Sequence, residues 1–393
     1  MRVREMGHQY NGLSENFHYF RSNYIMEAKH KTVIHKRDCA TNCCAKSPPQ
    51  YSFTYLKDDV LHLEANIDAK QHCIFNDLLD SVTFGSVEDS GMGRSRRSVA
   101  AAQRTLAEMV VFLGVLAVTC KGKIQRPDYD DTSAPEFLNP SWMASVPDSR
   151  SLSEVTLPGT HNTMALYGGA LTECQSWPLD LQLRAGVRFL DVRVRHVKGN
   201  LTIHHGVVYQ RAHFGEVLEG VARFLLEWPS ETVLMRLKEE FSETNDIYAA
   251  VVGYVHRHAH WDLLWHSRLT PTMGQARGKL VILQDFSGPD LGMRYGSLDI
   301  ADDWKVPTLL HVSEKWQSVR EHLAAAAAGN KARVFLTFAS GAGIFAYPNA
   351  VAQRINARLH KHLSDMVGLP ERLGIVTMDF PAAPLLKMII DFN

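Results

Sequence analysis

The chain of 393 residues lacks a charge of one sign: Lys and Arg total 42, and so do Asp and Glu. A dedicated nucleic-acid binder carries a basic excess, so that class is excluded. The same balance gives no strong electrostatic pull towards anionic membranes. Cysteine is scarce where it would matter. Of six, Cys39, Cys43, Cys44 and Cys73 lie near the N-terminus, Cys120 ends an apolar run, and only Cys174 lies beyond residue 140. Residues 140–393 therefore cannot be stapled by internal disulfides and must be held by a core, for which they are long enough. The apolar run Met109–Cys120 falls short of the roughly 20 residues a membrane-spanning helix needs. No transmembrane span is expected. Cys39-x3-Cys43-Cys44 has no second Cys/His pair to complete a tetrahedral metal set. Apolar residues at 45% and charged residues at 21% exclude disorder for the bulk of the chain.

What is present divides into unlike parts. Residues 1–108 show no sustained helical or strand period and contain turn-rich stretches around Pro48-Pro49 and Gly91-Met92-Gly93. They are expected to form a poorly structured, disordered extension of unknown role. The run Met109–Cys120 suits the apolar core of a secretory signal. Arg94, Arg96, Arg97 and Arg104 precede it, Val118 and Cys120 are small residues flanking a cleavage point, and Lys121 would begin the mature chain. The plainer alternative is a buried helix or strand. An internal signal is odd, and it suggests a true start at Met92 or Met109 after a translated upstream extension. If the run is a signal, the protein is secreted or extracellular; otherwise it is cytoplasmic and peripheral to membranes. Residues 121–139, with Pro127, Asp128, Asp130, Asp131 and Pro135, read as a polar linker.

From Ser151 short apolar runs alternate with helical spacing. The runs include Val155–Pro158, Val187–Val194, Leu201–Ile203, Thr232–Leu237, Lys279–Leu283, Arg333–Phe338 and Gly374–Asp379. Between them, residues 214–228, 245–258, 310–328 and 350–366 place apolar side chains three and four apart. Strands alternating with helices imply parallel βαβ units. Over residues 140–393 this predicts an α/β fold, a distorted (β/α)8 TIM-type barrel.

In such a barrel the residues at strand C-termini line the active site. The first run ends in Gly159-Thr160-His161-Asn162, and the second carries Asp191-Val192-Arg193. The third ends in His204-His205-Gly206, the fourth in Lys238-Glu239-Glu240, and the last in Asp379-Phe380. Two histidines, an arginine, a lysine and an aspartate at one rim suit phosphodiester cleavage without a metal. One imidazole takes a proton and the other gives one. A planar guanidinium holds the phosphate oxygens on which charge builds.

Leu157-Pro-Gly-Thr-His-Asn-Thr-Met164, Gln182-Leu-Arg-Ala-Gly-Val-Arg-Phe-Leu-Asp-Val-Arg193, Ile203-His-His-Gly206 and the stretch from Phe224 to Glu240 resemble the phosphatidylinositol-specific phospholipase C X-domain. The likeness is to its bacterial-type, metal-independent branch and covers about residues 140–393. The resemblance implies a distorted TIM barrel that cleaves phosphatidylinositol at a membrane surface. The inositol 2-hydroxyl attacks its own phosphate, giving diacylglycerol and a cyclic inositol phosphate. By the same resemblance His161 is the general base, Asp379 orients it, His205 is the general acid and Arg193 binds phosphate. Lys238, Arg277 and Asp302 contact the inositol, and Trp304 stacks on it. No cofactor, metal or nucleic acid is implied, and a monomer is expected.

Two departures matter. The bacterial pattern has aspartate where this chain has Asn162, which deprives His205 of its carboxylate. Either Asp191 substitutes or activity is lower. The calcium-dependent branch has His-Asn here but needs an acidic residue at the place of Arg193, and an arginine there repels the ion. Two rival readings remain. Another barrel phosphodiesterase, acting on glycerophosphodiesters or sphingomyelin, would need a Glu-x-Asp metal set, against which Asp191-x-Arg193 stands. A catalytically weak lipid-binding protein has only Asn162 in its favour. His256, His258, His260 and His266 are taken as a solvated face, and the sequon Asn200-Leu-Thr202 counts only if the chain is secreted.

Overall fold

The computed structural model describes residues 123–242, 246–366, 368 and 372–393, with the backbone of three earlier strands. Two units divide the chain, at residues 1–121 and 122–393. In the first, β1 (Tyr24–Glu27), β2 (Ser52–Tyr55) and β3 (Val60–Glu64) pair antiparallel in the order β1-β3-β2. Strands of four or five residues are too short for alternation to stand out in a sequence. The rest of the 1–108 extension, the Cys39–Cys44 motif and the run Met109–Cys120 lie outside the described residues.

The second unit is built on eight parallel strands curled into a barrel. They are β4 (Leu157–Thr160), β5 (Phe189–Val197), β8 (Val233–Glu239), β9 (Leu280–Asp285), β10 (Met293–Arg294), β11 (Asp299–Ala301), β12 (Phe335–Phe338) and β13 (Ile375–Met378). Their order is β10-β9-β8-β5-β4-β13-β12-β11. Among the described residues no pairing joins β10 to β11, so the barrel stays open at that seam. Only a single 3-10 turn, Tyr295–Ser297, separates these two strands, and no helix follows β9. The distortion of the barrel lies in these missing crossovers.

Helices cover the outside where the spacing predicted them: α2 (Phe214–Glu227), α3 (Ile247–His258), α5 (Val312–Ala328) and α6 (Pro348–Asp365). The shorter α1 (Leu179–Ala185), α4 (Met273–Ala276) and α7 (Ala383–Ile390) complete the set. Helix α2 shows the local logic. Its start is closed by a reciprocal cap between His213 and Glu216. Phe214, Val217, Leu218, Val221, Phe224 and Leu225 then fall on one face and are buried.

One expectation is corrected. The run Leu201–Ile203 is not a barrel strand. It belongs to β6 (Asn200–His205), which folds back antiparallel on the extended end of β5 and pairs with β7 (Val208–His213). Lys198-Gly199 makes the reversal, with both residues at positive φ. A two-residue hairpin permits antiparallel return, whereas a parallel strand needs a crossover that is absent here.

Alternation along the strands separates two apolar layers. Leu190, Val192, Val194, Met235, Leu237, Ile282, Val376 and Met378 face the helices. Leu157, Phe189, Leu234, Val281, Leu283, Leu336, Phe338 and Ile375 fill the interior. Gly159 shares the interior parity, and a Cβ there would meet Phe189 Cδ1 at 2.8 Å. Glycine is therefore what lets Phe189 plug the barrel.

The stretch expected as a linker is partly seated on this unit. Asp131 N donates to Ile124 O at 3.0 Å, closing a tight hairpin. Tyr129 is fully buried and packs against Phe380 with ring centroids 5.6 Å apart and tilted by 42°, while Asp130 N donates to Phe380 O at 3.1 Å. A single aromatic anchor explains why a polar, proline-bearing segment docks at all.

Candidate active site

Continue each interior column past its apolar residues and chemistry follows. Leu157 and Gly159 lead to His161; Phe189 leads to Asp191 and Arg193; Leu234 leads to Arg236, Lys238 and Glu240. Leu283 leads to Asp285, and Ile375 and Thr377 lead to Asp379. The period of two thus aims one end of the barrel with ionisable groups and fills the other with hydrocarbon.

His161 stands at the centre. Its Nδ1 lies 2.8 Å from Asp379 Oδ1. Its Nε2 lies 3.0 Å from an Arg193 terminal nitrogen and 3.2 Å from Asn162 Nδ2. Both neighbours are donors, so Nε2 carries the lone pair and Nδ1 the proton, shared with Asp379. The backbone is fixed too: Gln175 Nε2 donates to His161 O at 2.8 Å and to Met378 O at 2.9 Å. Asn162 adopts a left-handed φ of 42°, which asparagine tolerates better than most residues. The Phe338 ring meets His161 edge-on at 6.0 Å.

His205 faces His161 across a gap of 6.3 Å between ring centroids, at 84°. The β6 return strand brings it there. Its Nδ1 pairs with Thr172 O at 2.7 Å. Burial, and next the neighbouring His161, push its pKa below the ordinary histidine value.

Arg193 is only 13% exposed. One terminal nitrogen donates to Asp191 Oδ2 at 3.0 Å, the other to Glu240 Oε1 at 2.9 Å, and Nε is buried without a partner among the described residues. Burial opposes its charge, but Asp191 and Glu240 outweigh that and raise its pKa. Burial likewise works against the Asp191 carboxylate, yet Arg193 and Arg236 hold it well below the usual carboxylate range. Asp191 receives Asn162 N at 3.2 Å and Arg236 at 3.4 Å. It does not reach His205, so the expectation that Asp191 replaces the missing carboxylate is corrected: a backbone carbonyl orients that ring.

Lys238 Nζ lies 3.4 Å from Glu240 Oε1 and is one third exposed. Asp302 and Trp304 follow β11 at the same rim and are exposed. Neither makes a hydrogen bond or ring contact with His161, His205 or Arg193 among the described residues. Arg277 is at the other end of the barrel. It precedes β9 rather than ending a strand, and it spends its donors on Asp148, Met143 O, Ser230 O and Val146 O at 2.5–3.1 Å. It takes no part in the rim cluster, contrary to expectation.

Three rim residues were given no role by the sequence. Glu240 joins Arg193 to the Gly206 amide, which donates to it at 2.7 Å beside His205. Arg236 is clasped by Asp285 at 2.8 Å and lies 4.1 Å from the Tyr295 ring. Lys315 of α5 donates to Phe338 O at 2.6 Å, and burial pushes its pKa down to about 8. Parity along β8 could have exposed the first two. Cys174 is buried, its Sγ 3.9 Å from His205 Nδ1, and burial raises its pKa well above the ordinary thiol value. His256 and His266 stack on either face of Trp261, and His258 pairs with Glu219 at 2.8 Å; they lie apart from the rim.

Comparison with known proteins agrees with this fold. The family described as phosphatidylinositol-specific phospholipase C, X domain, matches residues 149–285. A 1-phosphatidylinositol phosphodiesterase of Listeria monocytogenes is 31% identical over 280 residues, covering 64% of this chain and 84% of that protein. One from Staphylococcus aureus is 24% identical and 87% covered. The solved Listeria monocytogenes phosphatidylinositol-specific phospholipase C superimposes with a TM-score of 0.59 at 28% identity, over 65% of this chain and 99% of that one.

Proposed function

Because this chain belongs to the phosphatidylinositol-specific phospholipase C family, we propose that it cleaves phosphatidylinositol-type lipids to diacylglycerol and a cyclic inositol phosphate. The observation that carries this is the pair of imidazoles, 6.3 Å apart, with the Arg193 guanidinium 3.0 Å from one of them. His161 Nε2 takes the proton of the inositol 2-hydroxyl, and Asp379 stabilises the imidazolium that results. Arg193 turns its donors from His161 to the phosphate and neutralises the charge that gathers there. His205 protonates the departing diacylglycerol oxygen. Its lowered pKa makes it a stronger acid, and a bound phosphate favours its protonated form. Lys238, Asp302 and Trp304 line the side on which the inositol ring sits.

Residues 122–393, including the 124–131 hairpin, form the catalytic unit in this reading. Trp304, Leu310, Ile344 and Phe345, all in loops after β11 and β12, are exposed and face the lipid surface. No helix among the described residues is long and apolar enough to cross a membrane. We read Met109–Cys120 as an export signal, which N-terminal sequencing of the natural protein checks: a mature start near residue 1 removes it.

The deciding experiment is phosphatidylinositol cleavage in the presence of a calcium chelator. Wild type is expected to remain active, and His161→Ala and His205→Ala should each lose at least about 10²-fold in rate. A wild-type chain that binds the lipid without cleaving it would restore the lipid-binding alternative. Activity lost to the chelator would count against metal independence.

A further inference from the structure

We infer that His161, Cys174 and Asp379 form a site for a thiophilic divalent cation, of the zinc and cadmium class, whose occupation shuts the enzyme off. The ligand atoms of these three side chains all lie within 4.8 Å of one another. Cys174 is fully buried and Asp379 is 1% exposed. A second observation is independent of the cluster itself. Asp379 Oδ2 is buried and has no hydrogen-bond partner among the described residues, although its companion oxygen holds His161. An unpaired carboxylate oxygen in a dry setting is costly and accepts a cation readily.

The donor set selects the ion. Calcium requires six to eight oxygens, and one carboxylate cannot supply them. Imidazole nitrogen, thiolate sulfur and carboxylate oxygen together suit zinc, which takes three protein ligands and leaves a position for water. Tetrahedral ligand atoms lie about 3.5 Å apart at ordinary bond lengths, so the set has to close by about 1 Å. The Cys174 thiol proton leaves to the buffer as the metal–sulfur bond forms. Thiolate and carboxylate then neutralise the ion's two charges. Arg193, 3.0 Å from His161 Nε2, weakens the site as it would a calcium site, but Asp191 and Glu240 offset its charge, and a thiolate binds a soft ion far more tightly than oxygen donors bind calcium. A cation on His161 occupies the lone pair or displaces Asp379, and either stops proton abstraction.

Inhibition rests on His161 being the base, whereas metal binding does not, so the two are read separately. The intact chain is titrated with cadmium, following the ultraviolet thiolate-to-cadmium charge-transfer band in wild type and in Cys174→Ala. A band component lost specifically with Cys174→Ala is expected. A band unchanged by the substitution means that cadmium goes to the other five cysteines, and overturns the proposal. Zinc inhibition of lipid cleavage is then measured against each variant's own metal-free rate. Cys174→Ala and Cys174→Ser should raise the inhibition constant at least about tenfold, with calcium inert throughout. Equal zinc sensitivity in wild type and both variants also overturns it. A Cys174-dependent band without inhibition keeps the site but removes its control of the enzyme, and with it the proposal as stated.

Discussion

Arg188, just before β5, and Arg193, midway along it, stand at the two ends of the barrel and teach opposite lessons. At the floor of the barrel, Arg188 and Glu231 are both fully buried, 2.6 Å apart. Arg188 also donates to Leu183 O, Val187 O and Pro140 O, so every one of its N–H groups has a partner. At the rim, Arg193 has two carboxylates yet keeps a buried Nε unpaired, and Asp379 keeps a buried oxygen unpaired. The pKa directions diverge accordingly. Burial pulls Arg188 down to about 10 in spite of Glu231, while two carboxylates lift Arg193 against burial. A finished network stabilises a structure; an unfinished one leaves capacity for a substrate.

The strongest way to break this comparison is to remove each guanidinium in turn. Arg193→Ala should lower kcat about 10²- to 10³-fold, the usual effect of losing one preorganised donor to a developing oxyanion. Its melting temperature should fall less than that of the floor variant, because Arg236 still pairs with the buried Asp191 and Glu240 keeps Lys238 and the Gly206 amide. Arg188→Met should do the reverse. It strands the buried Glu231 carboxylate, which costs about 3–5 kcal/mol, while turnover per folded molecule stays near wild type. Cleavage kinetics and thermal unfolding on both variants decide. A catalytic loss in Arg188→Met with an unchanged melting temperature would erase the distinction.

How far the sequence disclosed these two ends follows from periodicity. The helices were legible because residues 214–228 or 350–366 carry about four to five turns of consistent spacing. His161, Arg193 and Asp379 were legible because each ends an apolar run. Two kinds of feature were not. The antiparallel return of β6 depends on a hairpin at Lys198-Gly199, a weak signal beside a run that reads equally well as a parallel strand. Arg277 was assigned to the inositol by resemblance alone, but it precedes β9, and a group before a strand belongs to the floor. Arg236 and Asp285 were overlooked, and Glu240, named at a strand end, was given no role. They sit inside or just beyond runs read for their apolar members, and only strict parity assigns them to the interior.

The apolar surface sharpens the comparison at a smaller scale. Ile344 and Phe345 at the rim and Leu269 at the floor are each at least 74% exposed. If the rim faces lipid, Ile344→Ser with Phe345→Ser should lower cleavage in phosphatidylinositol vesicles about tenfold, as expected from losing part of two side-chain burials. Cleavage of a short-chain, monomeric substrate should stay within about twofold. Leu269→Ser should change neither. An equal loss on vesicles from the floor variant would show that exposure alone, not its position, sets the effect.

The smallest expected effect separates the two carboxylates that serve the arginines. Glu231 is wholly buried, while Glu240 is 8% exposed and accepts from Arg193, Lys238 and the Gly206 amide. Burial alone would raise the Glu240 pKa, but Arg193 and Lys238 outweigh it and hold it below the ordinary glutamate value. A carboxyl with a depressed folded-state pKa binds its proton less readily than the unfolded chain does. Its stabilisation is therefore present above the unfolded value, roughly pH 4.3, and is lost as pH falls through the folded one. Glu240→Gln removes that ionisation. The melting-temperature gap between wild type and Glu240→Gln should be widest near neutral pH and should close as the pH drops below about 4. Turnover at neutral pH should fall only a few-fold, because Asp191 still holds Arg193. A gap that persists unchanged into acid would mean that Glu240 acts through packing rather than charge, as a floor residue would.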